Sequence, residues 1–146
     1  MNEIRPIQWS DGKLWLLDQT RLPLEEITLE LDRYQQAIDA IRDMQVRGAP
    51  AIGVTAAYAM AMAAREISAT SPDEYMSELE DAAARIAAAR PTAVNLFWAV
   101  QRMVSLAKSE PDPLGMPERL LAEAQRMYQE DEEINRKMGG LGKDFL

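Results

Sequence analysis

Twice in this 146-residue chain an arginine stands directly before what reads as a helix start. Arg47-Gly48-Ala49-Pro50 places a guanidinium and a glycine ahead of a proline suited to the first helical turn. Arg90-Pro91-Thr92 places a second guanidinium ahead of a threonine that can cap a helix. A helix N-terminus presents backbone N–H groups without intrahelical partners and a partial positive charge, so it suits a phosphate or another small dianion. Gly48 lets a ligand come close to the backbone, and an arginine adds a bidentate, charge-assisted contact. If the two starts face each other, Arg47, Gly48, Ala49 and Arg90 form a dianion pocket. A second reading is open on the pattern alone: each arginine merely caps the C-terminus of the helix before it.

The composition restricts what else these residues can do. There is no cysteine and no histidine, which excludes disulfides, Cys/His zinc sites, a cysteine nucleophile and a histidine base. No metal or other cofactor is expected. The formal net charge of −8 repels a phosphate-rich polymer, so nucleic acid is not expected as a partner, while a small anion can still be held by local arginines. Met1-Asn2-Glu3-Ile4 lacks the basic start and apolar run of a secretory leader. The longest uncharged stretch, Gly48 to Ala64, has 17 residues and is mostly Ala and Gly, which reads as a buried helix rather than a membrane span. A cytoplasmic location is expected.

The elements that must position the two arginines follow from periodicity. Ile4, Ile7 and Trp9 precede Ser10-Asp11-Gly12-Lys13, and Leu14-Trp15-Leu16-Leu17 follows, which predicts a tight hairpin. Leu22-Pro23-Leu24 begins a third extended segment that Ile27-Thr28-Leu29 continues. Five helical segments come next. Asp32 with Gln35 resembles a capping box ahead of Tyr34, Ala37, Ile38, Ile41 and Met44. A second helix spans about Pro50 to Ile67. Ser71-Pro72-Asp73-Glu74 starts a third, burying Met76, Leu79, Ala83 and Ile86. Thr92 caps a fourth through Asn95, Leu96, Val100, Met103 and Leu106. A fifth begins near Pro117, buries Leu120, Leu121, Ala124, Met127 and Ile134, and stops at Gly139-Gly140. The predicted class is α+β, mostly α: a small three-stranded antiparallel sheet at the N-terminus, then a bundle of about five helices. Residues 1–138 form this domain, and residues 139–146 read as the start of a linker.

Three segments resemble methylthioribose-1-phosphate isomerases, enzymes of methionine salvage. They are Leu16-Leu17-Asp18-Gln19-Thr20-Arg21-Leu22-Pro23, Val46-Arg47-Gly48-Ala49-Pro50-Ala51-Ile52-Gly53 and Arg90-Pro91-Thr92-Ala93-Val94-Asn95-Leu96. A weaker fourth match is Glu130-Asp131 with Asn135-Arg136, Gly139 and Gly142. The matches keep the family's order and span nearly the whole chain. The resemblance implies that Arg47, Gly48, Ala49 and Arg90 contact the phosphate of a small-molecule sugar phosphate. It implies no catalytic residue within this chain, because the family's cysteine and aspartate lie in a later Rossmann-like domain; the chain is expected to be a fragment, inactive alone, of a protein that forms a homodimer. Ribose-1,5-bisphosphate isomerase and a non-catalytic regulatory subunit of a translation initiation exchange factor are the alternatives.

Other conspicuous residues read as structural. The Ala-rich stretches 56–64 and 82–89 suit close helix packing. Trp9, Trp15 and Trp98 could line a pocket for a methylthio group, but packing is the favoured reading. The acidic run Glu130-Asp131-Glu132-Glu133 reads as a solvated helix face, because adjacent helical residues point in different directions.

Overall fold

The computed structural model describes the backbone of residues 6–144 and the side chains of residues 6–134. Strands β1 (Ile7–Ser10), β2 (Lys13–Leu17) and β3 (Thr28–Leu31) form an antiparallel sheet in the order β1-β2-β3. Ser10 pairs with Lys13, so Asp11-Gly12 is a two-residue turn; both have positive φ, 56° and 71°, as a hairpin of this length requires. Period-two alternation turns Leu14 and Leu16 inward, both fully buried. The third strand starts later than the sequence predicts. Leu22-Pro23 is a cis peptide in the connection that follows a 3-10 turn at Gln19–Arg21, and Leu24 is exposed.

Five helices follow: α1 (Tyr34–Arg42), α2 (Ala49–Glu66), α3 (Pro72–Ala87), α4 (Val94–Ser109) and α5 (Met116–Asp144). The predicted α+β class therefore holds. Helix α2 is the centre, packed against α1, α3, α4 and α5. Every residue from Ile52 to Ala64 is buried, which explains why its sequence is apolar all round rather than on one face. The buried Thr55 hydroxyl donates to the Ala51 carbonyl at 2.7 Å. Small residues set the spacing: a Cβ on Gly53 would lie 3.3 Å from the Asn95 carbonyl oxygen and 3.7 Å from Ala99 Cβ, so α4 runs directly over α2 there.

The sheet is tied to α2 by Arg65. Its guanidinium donates to the carbonyls of Gly12 at 2.7 Å and Asp32 at 3.0 Å and lies over the Trp9 ring, which stacks on Tyr58. Glu66 accepts the Tyr34 N–H at 2.8 Å, helping to cap α1. The capping glutamine is Gln36, not Gln35: α1 starts one residue further on, and Gln36 accepts from the backbone of Asp32 and Arg33. Helix α3 starts as predicted, with Ser71 accepting the Glu74 N–H at 3.4 Å, but its first buried side chain is Tyr75, while Met76 is only partly buried.

Tyr75 supplies a hydrogen bond that the end of α2 cannot make for itself. Its hydroxyl donates to the Ala64 carbonyl at 2.7 Å, and burial pushes the phenol up to about 12. That carbonyl belongs to the last turn of α2, which has no intrahelical donor. Tyr75→Phe is expected to lower stability by about 1–2 kcal/mol, since the acceptor is left buried and unpaired. Urea unfolding should show a lower midpoint with an unchanged slope; a midpoint equal to that of the parent refutes it.

Two further boundaries differ from expectation. Helix α4 begins at Val94, because Pro91 and Thr92 occupy the centre of a turn closed by Ala93 N–H to Arg90 C=O at 2.9 Å, and proline is at home at its second position. Helix α5 runs through Gly139 and Gly140 to Asp144, because glycine weakens a helix without blocking its hydrogen bonds. Ile134, predicted to be buried on α5, is 55% exposed. Phe145 and Leu146, read as part of a linker, lie outside the described residues.

Candidate anion site between two helix N-termini

The connection before α2 is shaped by local backbone chemistry. Helix α1 closes with Gln45 N–H bonded to Ala40 C=O and Met44 N–H to Ile41 C=O, with Met44 at φ 62°. That is a Schellman closure, usually made with glycine at the position Met44 holds. Val46 then turns inward and is buried, which directs Arg47 outward. Gly48 has φ 94° and ψ 132°, a backbone conformation that L side chains rarely adopt, and this sharp bend starts α2.

The segment Leu16–Pro23 braces this connection. Asp18 is 3% exposed, and its carboxylate accepts from the Thr20 hydroxyl (2.6 Å), the Thr20 N–H (3.0 Å) and the Gln45 amide (3.1 Å). The Gln19 N–H also donates to the Gln45 carbonyl at 2.9 Å. Burial by itself pushes the Asp18 carboxyl up, but these hydrogen bonds and the nearby Arg21 outweigh it and hold the group below the usual carboxylate range.

The structure brings Arg47, Gly48, Ala49 and Arg90 to one cavity of about 390 Å³. Ala93, Val94 and Asn95 complete its other side, so the first turns of α2 and α4 open into the same space. Neither helix start has a side-chain cap, although α3 is capped by Ser71 and α1 by Gln36. The uncapped N–H groups at these two ends are thus left for a ligand or water. Among the described residues no Asp or Glu lines the cavity, and neither arginine has an ion-pair partner, in contrast to Arg42, Arg85 and Arg102. Such a site is cationic within an acidic chain and fits a compact anion. Thr92, predicted to cap α4, instead sits in the turn, which leaves that helix end open.

Sequence reasoning missed Asn95. It belongs to the Arg90–Leu96 segment, yet nothing in its spacing shows that it stands where this cavity meets a second one of about 330 Å³ between α2, α4 and α5. The three tryptophans part company. Trp9 stacks on Tyr58, Trp15 donates to the Ser10 carbonyl at 3.1 Å, and only Trp98 lines the second cavity. The acidic run is not simply a solvated face: Glu130 binds Arg102 at 3.0 and 3.2 Å, and Asp131 is partly buried against the second cavity.

A sheet braced against a largely buried central helix, with two open helix starts meeting at two arginines, defines a class that comparison with known proteins identifies. Residues 45–146 match the model of the initiation factor 2 subunit family, and the chain belongs to that family. Within it, the chain is similar over nearly its whole length to methylthioribose-1-phosphate isomerases. It is 49% identical over 143 residues to that of Thioalkalivibrio sulfidiphilus, covering 98% of this chain and 40% of the relative. It is 45% identical to the 5-deoxyribose 1-phosphate isomerase of Bacillus anthracis, covering 94% and 40%. The crystal structure of 5-methylthioribose 1-phosphate isomerase from Pyrococcus horikoshii superposes with a TM-score of 0.91 at 31% identity, over 97% of this chain and 40% of that one. A structure from A. fulgidus described as translation initiation factor eIF-2B, subunit delta, gives 0.90 at 41% identity, over 99% and 42%. The chain thus spans about 40% of the length of these relatives.

Proposed function

We propose that this chain is the phosphate-anchoring part of an isomerase that interconverts methylthioribose 1-phosphate and methylthioribulose 1-phosphate in methionine salvage. The carrying observation is the single cavity at which two uncapped helix starts meet Arg47 and Arg90, neither of them in an ion pair among the described residues. Arg47 and Arg90 grip the phosphate from two sides, and the backbone N–H of Ala49, at the bend made by Gly48, donates to its oxygens. The names carried by the relatives support a ribose 1-phosphate whose fifth carbon bears no hydroxyl, either methylthio or deoxy. Aldose–ketose isomerisation moves a hydrogen between neighbouring carbons of the opened sugar. Holding the phosphate carried on C1, itself one of the two reacting carbons, fixes those carbons relative to the reacting groups and contributes through orientation. The family resemblance places the catalytic cysteine and aspartate in a later domain, and this chain, which has no cysteine, is on that reading a binding part that does not itself turn substrate over.

Titration of the 146-residue chain with inorganic phosphate, followed by backbone amide resonances, tests the anchorage. The Gly48, Ala49, Val94 and Asn95 amides are expected to shift together and saturate with one common constant. Shifts that never saturate, or that occur elsewhere on the surface, refute the site.

A further inference from the structure

Two residues outside the cavity stand behind the anion site. Neither Gln45 nor Asp18 lines it, yet Gln45 lies two positions before Arg47. Gln45 is held at three points. Its N–H donates to the Ala40 carbonyl at 2.9 Å, its carbonyl accepts the Gln19 N–H at 2.9 Å, and its side-chain amide donates to Asp18 Oδ2 at 3.1 Å. Asp18 is itself fixed from the sheet side. Its N–H donates to the Ile27 carbonyl at 2.8 Å, and its second carboxylate oxygen, Oδ1, accepts from both the N–H and the hydroxyl of Thr20. Beyond Arg47, the Gly48 carbonyl accepts the Ile52 N–H at 3.0 Å in the first turn of α2. Only the buried Val46 and the exposed Arg47 lie between these two clamps.

We infer that Asp18 and Gln45 are positioning residues for the anion site: the hydrogen bond between them fixes the backbone that carries Arg47 and the bend at Gly48. The inference rests on the anion site proposed above and gives a task there to the Leu16–Pro23 segment, which lines no part of it. A glycine beside an exposed arginine leaves the chain many conformations, and an anion that must select one of them binds more weakly for it. Tying Gln45 to a carboxylate that is 3% exposed removes that freedom before the anion arrives. The tie can also be reversed. Oδ1 of Asp18 serves Thr20 and Oδ2 serves Gln45, so an asparagine at position 18 and a glutamate at position 45 keep all three hydrogen bonds, with donor and acceptor exchanged between the two side chains. One carboxylate remains in the pair, so Arg21, 4.0 Å from Asp18 Oδ2 in the parent, still faces a negative charge.

The test is the affinity of the 146-residue chain for inorganic phosphate, measured by calorimetry at neutral pH. Each variant is held well below its own melting temperature, so that only folded protein is compared and a loss of stability by itself does not register. Gln45→Ala is expected to bind about three- to tenfold more weakly than the parent, the size of effect that follows from ordering one short segment on binding. Gln45→Glu sets two carboxylates against each other and should bind more weakly still. Asp18→Asn combined with Gln45→Glu should return both the melting temperature and the phosphate affinity to near the parent values. Parent affinity in folded Gln45→Ala overturns the inference and leaves the anion site intact, because the bond would then serve stability alone. A paired variant that regains the parent melting temperature without its affinity overturns it equally. A parent chain that fails to bind phosphate removes both the inference and the site.

Discussion

Replacing Arg47 and Arg90 together with alanine is expected to abolish measurable phosphate binding while leaving the fold in place. Each guanidinium supplies a charge-assisted hydrogen bond worth about 1.5–3 kcal/mol. Loss of both therefore weakens binding by roughly 3–6 kcal/mol, about 10²–10⁴-fold. The two contacts share one ligand, so the double substitution need not equal the sum of the singles, and a double-mutant cycle measures their coupling. Stability should move by no more than about 0.5 kcal/mol, as for surface positions without structural partners. Arg47 is exposed, Arg90 is half-buried, and neither is used in an ion pair among the described residues. Calorimetry with phosphate and a melting curve without it check the two halves. Binding within threefold of the parent sinks the assignment; a large loss of stability would mean that the arginines serve the fold instead, as helix C-caps do.

The second large effect is on stability and lies at Asp18. Asp18→Ala is expected to cost about 3 kcal/mol, because hydrogen bonds to a buried charged group are strong and their donors are stranded when it goes. The Thr20 hydroxyl, the Thr20 N–H and the Gln45 amide all lose their acceptor at once. The carboxyl titrates below its usual range in the folded chain, so its contribution is fully present above the unfolded value, near 3.8, and disappears as pH falls through the folded one. Parent and variant should therefore differ most at neutral pH and converge in acid below that range. A gap that stays constant down to pH 2 would show that packing, not the carboxylate, accounts for the loss. Since Gln45 lies two residues before Arg47, the variant should also weaken phosphate binding, although Asp18 does not line the cavity.

Much of this molecule can be read locally, because short-range rules govern the features concerned. Asp11-Gly12 fixes the hairpin through backbone conformation, and Ser71-Pro72 fixes the start of α3 through a cap. The candidate site residues were picked out for a related reason, since an arginine beside a helix start is a local pattern. Their convergence was not. It depends on α4 crossing α2 closely at Gly53, Asn95 and Ala99, and no window of sequence contains that contact. The misread boundaries also have physical causes. Pro91 suits a turn as well as it suits a first helical residue, and the turn prevailed. Met44 ends α1 in a conformation for which glycine is the usual signal. Trp98 and Asp131 looked ordinary because a helix face turned toward a cavity has the same periodicity as one turned toward water or core.

The missing caps at α2 and α4 have a thermodynamic consequence. A side-chain cap is typically worth about 1 kcal/mol, so leaving two helix starts bare forgoes roughly 2 kcal/mol of folding free energy. Any anion that seats there acts as a removable cap for both helices. By linkage, a ligand at 100 times its dissociation constant adds about 2.7 kcal/mol to the stability of the folded state. On the proposed anchorage, the melting temperature of this chain is expected to rise with phosphate-ester concentration. Hydrogen exchange at the first turns of α2 and α4 should slow with ligand before any other part of the helical bundle responds, because those are the amides assigned to the anion in the proposed site.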